Sequence, residues 1–314
     1  MVLFTLPMDT LQVLSLNCHG FNNGTAAYVQ LACTRYNVDI LFLQETWLSD
    51  ANSHIIGNSL PDYVVTHTSA MERKIVSGLL VGRPFGGTAV LIHRKLARYC
   101  SAVFSCNPRI TAVRCELPES NDLVLGSVYF PYDSGSIDYI IELEDTVGCL
   151  QGIMDKYSNS QFIFGGDFNM SKLPGNSNQE IVSKLCSDNL LTWLHHDAST
   201  GSYTFHNDTA GKYSLIDHFI SSVTLVPLNG VVSILVEDDN LSDHFAIFSH
   251  FVIRPTSTQT AASDPKSNRS KRLDWKGADI HCYQSGLSNL LSLSRYQSMP
   301  CYVKTLYVKT ILKA

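Results

Sequence analysis

"QFIFGGDFNM" (Gln161–Met170) places an apolar run, Phe162-Ile163-Phe164, ahead of two glycines, and then sets Asp167 and Asn169 on either side of Phe168. In extended chain, residues two apart share a side. Asp167 and Asn169 are therefore expected to project together at a strand end, outside the core, while Phe168 turns back into packing. The glycines let the backbone turn or approach a neighbour closely. A strand that merely runs into a polar turn has the same composition, because Gly, Asp and Asn are turn residues. The rest of the chain decides between the two.

Working outward, the same ending recurs. "LQVLSLN" (Leu11–Asn17) alternates as a strand does and ends in Asn17. "VDILFLQET" (Val38–Thr46) is a short apolar run ending in Glu45. "NDLVLGSVYFPYD" carries Tyr129, "YSLIDHFIS" carries Asp217, and "DHFAIFSHFVI" opens on Asp243 and His244. "GGTAVLIHR", "NPRITAVRCELP", "SYTFHN" and "NGVVSILVED" also read as strands bounded by turn residues. Helical stretches are predicted at Thr25–Tyr36, at Ser136–Tyr157, whose apolar positions follow helical spacing, and at Gln179–Asn189. Strands outnumber helices, and many neighbours are too close for crossover helices. Mixed or antiparallel sheets packed together, with helices outside, follow from this. Taken singly, each polar strand end has an ordinary role: a solvated turn, a satisfied buried acid, a core tyrosine. Together, and in this order, they predict a crevice lined by strand ends.

Composition narrows the function. The chain has 314 residues, 45% of them hydrophobic, which suits a globular core. No apolar run spans a membrane and the start lacks a basic leader segment, so an intracellular protein of nucleus and cytoplasm is expected, without signal peptide or membrane partner. The nine scattered cysteines form no CxxC pair, which predicts free thiols. The net charge of −5 is uneven: from Pro265 onward nine Lys/Arg face two acids, +7, so residues 1–264 carry −12. An acidic body is not the usual footprint of a strong DNA-binding domain. It fits an enzyme whose carboxylates need a cation before they approach phosphate.

With "LNCHG", "LFLQETWL", "SVYFP", "GGDFN", "LIDHFI" and "LSDHFAI" standing in order over roughly residues 12–252, the sequence resembles the endonuclease/exonuclease/phosphatase superfamily of metal-dependent phosphodiesterases. "DILFLQETWLSD", "VYFPYDS" and "RLDWKGAD" look most like the endonuclease domain that opens LINE-type (non-LTR) retrotransposon polyproteins. The resemblance implies an α/β (α+β) sandwich of two packed mixed sheets flanked by helices, four layers in all. It implies an endonuclease domain at residues 1–253, a Ser/Thr/Lys-rich linker at 254–272 and a basic, partly helical tail at 273–314. The chain stops at "KTILKA" without a closing element, as if cut ahead of a reverse transcriptase.

The implied activity is Mg²⁺-dependent nicking of one DNA strand to leave a 3′-hydroxyl, by a monomer, with Mn²⁺ as a substitute ion. The element's own RNA would be a partner of the absent downstream region. By resemblance Glu45 is the principal metal ligand, with Asn17 and Asp243 nearby. Asp167 activates water, Asn169 holds Asp167 or the phosphate, His244 donates to a phosphoryl oxygen, Asp217 orients His244, and Tyr129 supports the phosphate or leaving group. Two positions depart from the family pattern. His19 stands where many members carry a metal-site acid, and it is expected to be a loop histidine. Tyr132 stands where apurinic endonucleases tend to carry Asn. The alternatives are a phosphoesterase acting on a small phosphorylated head group and a catalytically inactive retroelement remnant.

Overall fold

The computed structural model describes residues 10–118, 120–171 and 177–253. The linker and basic tail predicted beyond residue 253 lie outside the described residues.

The first half runs β1 (Thr10–Asn17), α1 (Asn23–Arg35), β2 (Ile40–Gln44), α2 (His54–Ser59), β3 (Tyr63–Thr68), β4 (Ile75–Val76), β5 (Leu79–Leu80), β6 (Thr88–His93), α3 (Arg94–Ala97), β7 (Cys100–Val103), β8 (Ile110–Cys115) and β9 (Leu123–Tyr129). The second runs α4 (Ile137–Lys156), β10 (Gln161–Asp167), α5 (Ser177–Asp188), β11 (Leu191–Trp193), β12 (Phe205–Asn207), β13 (Lys212–Ser214), β14 (Asp217–Ser222), β15 (Ser233–Leu235) and β16 (Ala246–Val252). One sheet has the order β15-β16-β1-β2-β6-β3 and the other β11-β14-β10-β9-β8-β7. Each is mixed, with one parallel pair near its centre, β1–β2 and β9–β10. No helix among the described residues is long and apolar enough to cross a membrane.

Side-chain alternation makes the layers. In β1, Leu11 and Val13 enter a core shared with Ile163 and Phe219 of the other sheet, while Leu14 and Leu16 pack on the far side with Tyr28 and Val29 of α1. In β10, Ile163 faces the shared core, and Phe162 and Phe164 pack with Leu143 and Leu150 of α4. The sandwich is therefore helix, sheet, sheet, helix, as predicted. Capping helps fix the helices: Asn22 accepts from Gly24 N and Thr25 N ahead of α1, and Ser136 accepts from Tyr139 N ahead of α4.

Toward one end of the sandwich the shared core turns polar. Gln44 Nε2 crosses between the sheets to donate to Ser127 Oγ at 2.9 Å, and Ser127 Oγ donates back to the Leu43 carbonyl at 2.8 Å. Thr88 Oγ1 and Thr111 Oγ1 meet across the gap at 2.8 Å. These residues read as ordinary strand composition in sequence. Only the stacking of the two sheets makes them a belt.

Three expectations change. "YSLIDHFIS" is two strands, because Ile216 N and Asp217 N both donate to Thr204 Oγ1, which bends the chain between β13 and β14. Cys100 and Cys115 are joined by a disulfide, since the antiparallel β7–β8 register sets them opposite one another. Strand β10 ends at Asp167, and Asn169 adopts φ +49°, so the extended alternation that put the two side chains together does not continue. Phe168 does turn inward, stacked on Phe130 with ring centroids 4.9 Å apart.

The glycines of the opening stretch have separate causes. A Cβ at Gly165 would lie 2.4 Å from Phe219 and 2.7 Å from Phe42, so two rings of the shared core already occupy that space. A Cβ at Gly166 would lie 1.9 Å from the Val128 carbonyl oxygen. Gly165→Ala is expected to destabilise the protein by about 1–3 kcal/mol through overpacking, read as a lower urea midpoint. An unchanged midpoint would mean that Phe42 and Phe219 shift at no cost.

Candidate active site

Register brings the polar strand ends together. Asp167 lies opposite Tyr129 in the β9–β10 ladder and opposite Asp217 in the β10–β14 ladder, which places three functional groups in one row. Asp167 shares the inward parity of Ile163, and Asn17 shares that of Val13, so the two meet across the gap between sheets. Asn17 Nδ2 donates to Asp167 Oδ2 at 3.0 Å and to Glu45 Oε1 at 3.1 Å. Asp167 is only 1% exposed. The expectation of a carboxylate outside the core is thus corrected: the strand end is capped by the facing sheet.

Glu45 sits on a strained turn. It has φ +48° and Trp47 has φ +56°, in the left-handed region that bulky residues rarely adopt. The turn is pinned from both sides. Thr46 N and Trp47 N donate to the carbonyls of Gly87 and Gly86, and Gly20 N and Phe21 N donate to those of Glu45 and Thr46. Trp47 Nε1 donates to Glu45 Oε2 at 3.0 Å, so both oxygens of the acid are held. Trp47 did not stand out in the sequence. Its position two residues after Glu45 was the available signal.

Asp217, His244 and Asp167 form a buried chain. His244 Nδ1 lies 2.9 Å from Asp217 Oδ2, and its Nε2 lies 3.9 Å from Asp167 Oδ2. The loop before β16 is tied to β1, because Ser242 Oγ accepts from His244 N and donates to the Asn17 carbonyl at 2.7 Å. Burial opposes a charge on His244. The Asp217 charge and hydrogen bond, then the charges of Asp167 and Asp243, outweigh it and push the imidazole up to about 10. Burial, then the Asp217 charge, push Asp167 up to about 7, with His244 and the Asn169 and Asn17 donors acting the other way. A carboxyl near neutrality beside a cationic imidazole is suited to exchanging a proton at ordinary pH.

The remaining predicted residues surround this chain. Burial, then the negative charges of Glu45 and Asp167, hold the Tyr129 phenol protonated. The Arg109 guanidinium lies 5.2 Å from the Tyr129 ring centre. Asn169 steadies Asp167 by its backbone, its N–H donating to Oδ1 at 2.8 Å. Its side-chain amide is directed instead to the Phe130 carbonyl at 2.9 Å. His19 is a loop residue, as expected, yet it faces the site: Nδ1 lies 2.7 Å from Asp243 Oδ1, in a contact not aligned as a hydrogen bond. Its ring meets Trp47 edge-on at 4.8 Å.

The donors suit a hard divalent cation. Glu45, Asp243 and Asn17 offer oxygen, and Asp243 Oδ1 is buried without a hydrogen-bond partner. Asn17 Oδ1 accepts from His19 N at 3.1 Å and keeps a second lone pair. Asp167, Asp217 and His244 are a second group close enough together to share an ion, with ligand atoms within 4.8 Å of one another. Their mutual charge-assisted contacts already satisfy them in part.

The model of the Endonuclease/Exonuclease/phosphatase family matches residues 14–244. Among solved structures, the fold is similar to the AP endonuclease LMAP from Leishmania major (12% identity, TM-score 0.60, covering 78% of this chain and 89% of that one). It is similar to the 3′ phosphatase NExo from Neisseria bound to product DNA hairpin (16%, 0.56, 77% and 99%). It is also similar to the endonuclease domain of TRAS1, a telomere-specific non-LTR retrotransposon (17%, 0.53, 78% and 98%). Likeness at these identities shows a shared fold. No protein curated for function matches the sequence.

The raised His244 pKa has a stability consequence of definite sign. Between its ordinary 6.5 and about 10, the folded chain keeps a proton that the unfolded chain releases. The stabilisation is complete below pH 6.5 and lost as pH rises through about 10. Asp217→Asn removes its main source. The urea midpoint of the wild type is expected to fall across that window, and that of Asp217→Asn to fall less. Parallel curves would remove Asp217 as the cause.

Proposed function

The chain belongs to the Endonuclease/Exonuclease/phosphatase family, and from that premise we propose that residues 1–253 act as a Mg²⁺-dependent endonuclease nicking one strand of duplex DNA. The observation that carries this is the buried bridge from Glu45 through Asn17 to Asp167, with His244 and Asp217 alongside. On this reading a cation-binding acid, a proton acceptor and a proton donor stand around one point. A nucleic-acid substrate is supported by the similarity to NExo bound to a DNA hairpin and to the TRAS1 endonuclease domain. The second of these also supports a retrotransposon origin of the LINE type.

Glu45, with Asn17 and Asp243, would hold the ion. When bound, Mg²⁺ relieves charge on the phosphoryl oxygens and on the departing oxygen. Asp167 orients a water in line with phosphorus and takes its proton at Oδ1 or Oδ2, which its raised pKa favours. His244, cationic and fixed by Asp217, donates Nε2–H to a non-bridging oxygen as negative charge grows there. Tyr129 presents a protonated hydroxyl to the phosphate. The Asn169 N–H keeps the Asp167 carboxylate from rotating. Attack by water expels the 3′ oxygen, which takes a proton from solvent water, and gives a 3′-hydroxyl and a 5′-phosphate with no covalent adduct with the enzyme.

The test is a supercoiled plasmid with Mg²⁺ or EDTA, followed by a DNA polymerase and no other processing. Metal-dependent nicks that extend directly are expected. Nicks that extend only after a 3′-phosphatase would mean that the opposite bond is cut. Turnover of a phosphoinositide panel without plasmid nicking would move the substrate to a small head group.

Asp167→Asn keeps the shape of the side chain while removing its basicity. A loss in nicking rate on the order of 10²-fold or more is expected, with the thermal midpoint retained. Turnover near that of the wild type would remove Asp167 as the base.

A further inference from the structure

Strands β4 and β5 form a ribbon that belongs to neither large sheet. Ile75 pairs with Leu80 and Val76 with Leu79, around Ser77 and Gly78, both at positive φ (52° and 81°). This is the turn chemistry of a tight two-residue hairpin, so the tip has a defined shape. The tip is apolar and in water: Leu79 is 75% exposed, and Val76 and Val81 are each 60% exposed. Exposed apolar clusters on a folded chain mark surfaces that something covers.

Charge and position indicate what covers this one. From residue 73 to 85, "RKIVSGLLVGRPF", there are three cations and no acid, in a body that is otherwise strongly acidic. The Lys74 ammonium sits 4.6 Å from the Phe85 ring centre at the foot of the ribbon, and Arg83, two residues before Phe85, is exposed. The ribbon returns through Gly86 and Gly87, whose carbonyls accept from Trp47 N and Thr46 N on the turn that carries Glu45. A Cβ at Gly87 would lie 2.5 Å from Thr46 Oγ1, so that close approach requires glycine. The segment that follows the ribbon is thus bonded to the proposed cation-binding turn.

We propose that the Ile75–Leu80 hairpin is a docking element for duplex nucleic acid. Val76 and Leu79 press into a groove against a base step, and Lys74 and Arg83 pair with the flanking phosphates. Apolar wedges unstack steps and bend the duplex, and here the bend would carry the adjacent phosphodiester toward Glu45. The inference rests on the reading of the site as a DNA phosphodiesterase.

The test uses the full chain and a double variant, Val76→Ser with Leu79→Ser, whose thermal midpoint is expected to match the wild type because both side chains are exposed. Binding is followed on a duplex carrying 2-aminopurine, and nicking on plasmid. Wild type is expected to brighten the probe as a step unstacks. The double variant is expected to bind about tenfold more weakly without brightening, with a matching rise in KM for nicking. Lys74→Ala and Arg83→Ala are each expected to flatten the salt dependence of binding by about one phosphate contact. Equal binding, brightening and KM in wild type and double variant would overturn the hairpin's role while leaving the endonuclease reading intact. Hairpin-dependent binding without nicking would overturn the endonuclease reading alone. Wild-type binding to phosphatidylcholine vesicles that the double variant loses, with duplex binding unchanged, would assign the tip to a lipid surface and overturn the proposal.

Discussion

A single amide group, the Nδ2 of Asn17, lies between two carboxylates supplied by opposite sheets. Glu45, Asp167, Asp217 and Asp243 are four acids within one crevice, and two of them are buried. Carboxylates crowded together in low dielectric repel one another and lose their hydration. Among the donors that offset this are Asn17, the Trp47 indole, the Asn169 backbone and His244. The elevated Asp167 pKa shows that the offset is incomplete. The same incompleteness supplies the chemistry, because fully satisfied carboxylates would have little tendency to take a proton.

The geometry is strained, and it is held against that strain by bonds. His19, Glu45, Trp47 and Asn169 all adopt left-handed backbone without being glycine. Such conformations cost on the order of 1–3 kcal/mol each. All four belong to the site or touch it, and each lies in a loop pinned by backbone hydrogen bonds to a neighbouring segment. Stability drawn from the three apolar layers maintains a site whose local conformations are unfavourable.

Much of this was legible in the sequence. Alternation in "LQVLSLN" and the helical spacing of Ser136–Tyr157 located β1 and α4 within a residue or two, because both bury one face against a large core. The polar strand ends located the crevice, and contacts or shared charge link Asn17, Glu45, Tyr129, Asp167, Asp217 and His244. What was not legible depended on neighbours far away in the chain. The burial of Asp167 comes from the facing sheet. The departure of Asn169 from extended backbone accompanies the bond of its side-chain amide to the Phe130 carbonyl. Edge strand β3 buries only its first residue fully, and β7 only its last, so neither left a clear periodic trace. The contact of the exposed His19 ring with Asp243 follows from a loop conformation that composition does not specify.

The belt of hydroxyls and amides between the sheets bears on how such a sequence can change over time. Thr88 and Thr111 satisfy one another across the gap, and Gln44 and Ser127 do the same nearby. Each is buried and bonded more than once, since Thr111 Oγ1 also reaches Thr68 Oγ1 and the Thr88 carbonyl and Gln44 Nε2 also reaches Ser15 Oγ, so loss of one member removes a bond from several neighbours in a medium where a missing bond is costly. Exchanging the connected group together for apolar residues of similar size avoids that cost. Substitution at these positions is therefore expected to be correlated in descendants of this chain. Residues of the apolar layers on either side can drift one at a time, whereas the belt, which resembles strand filler when read along the chain, should carry a joint signature linking the two sheets.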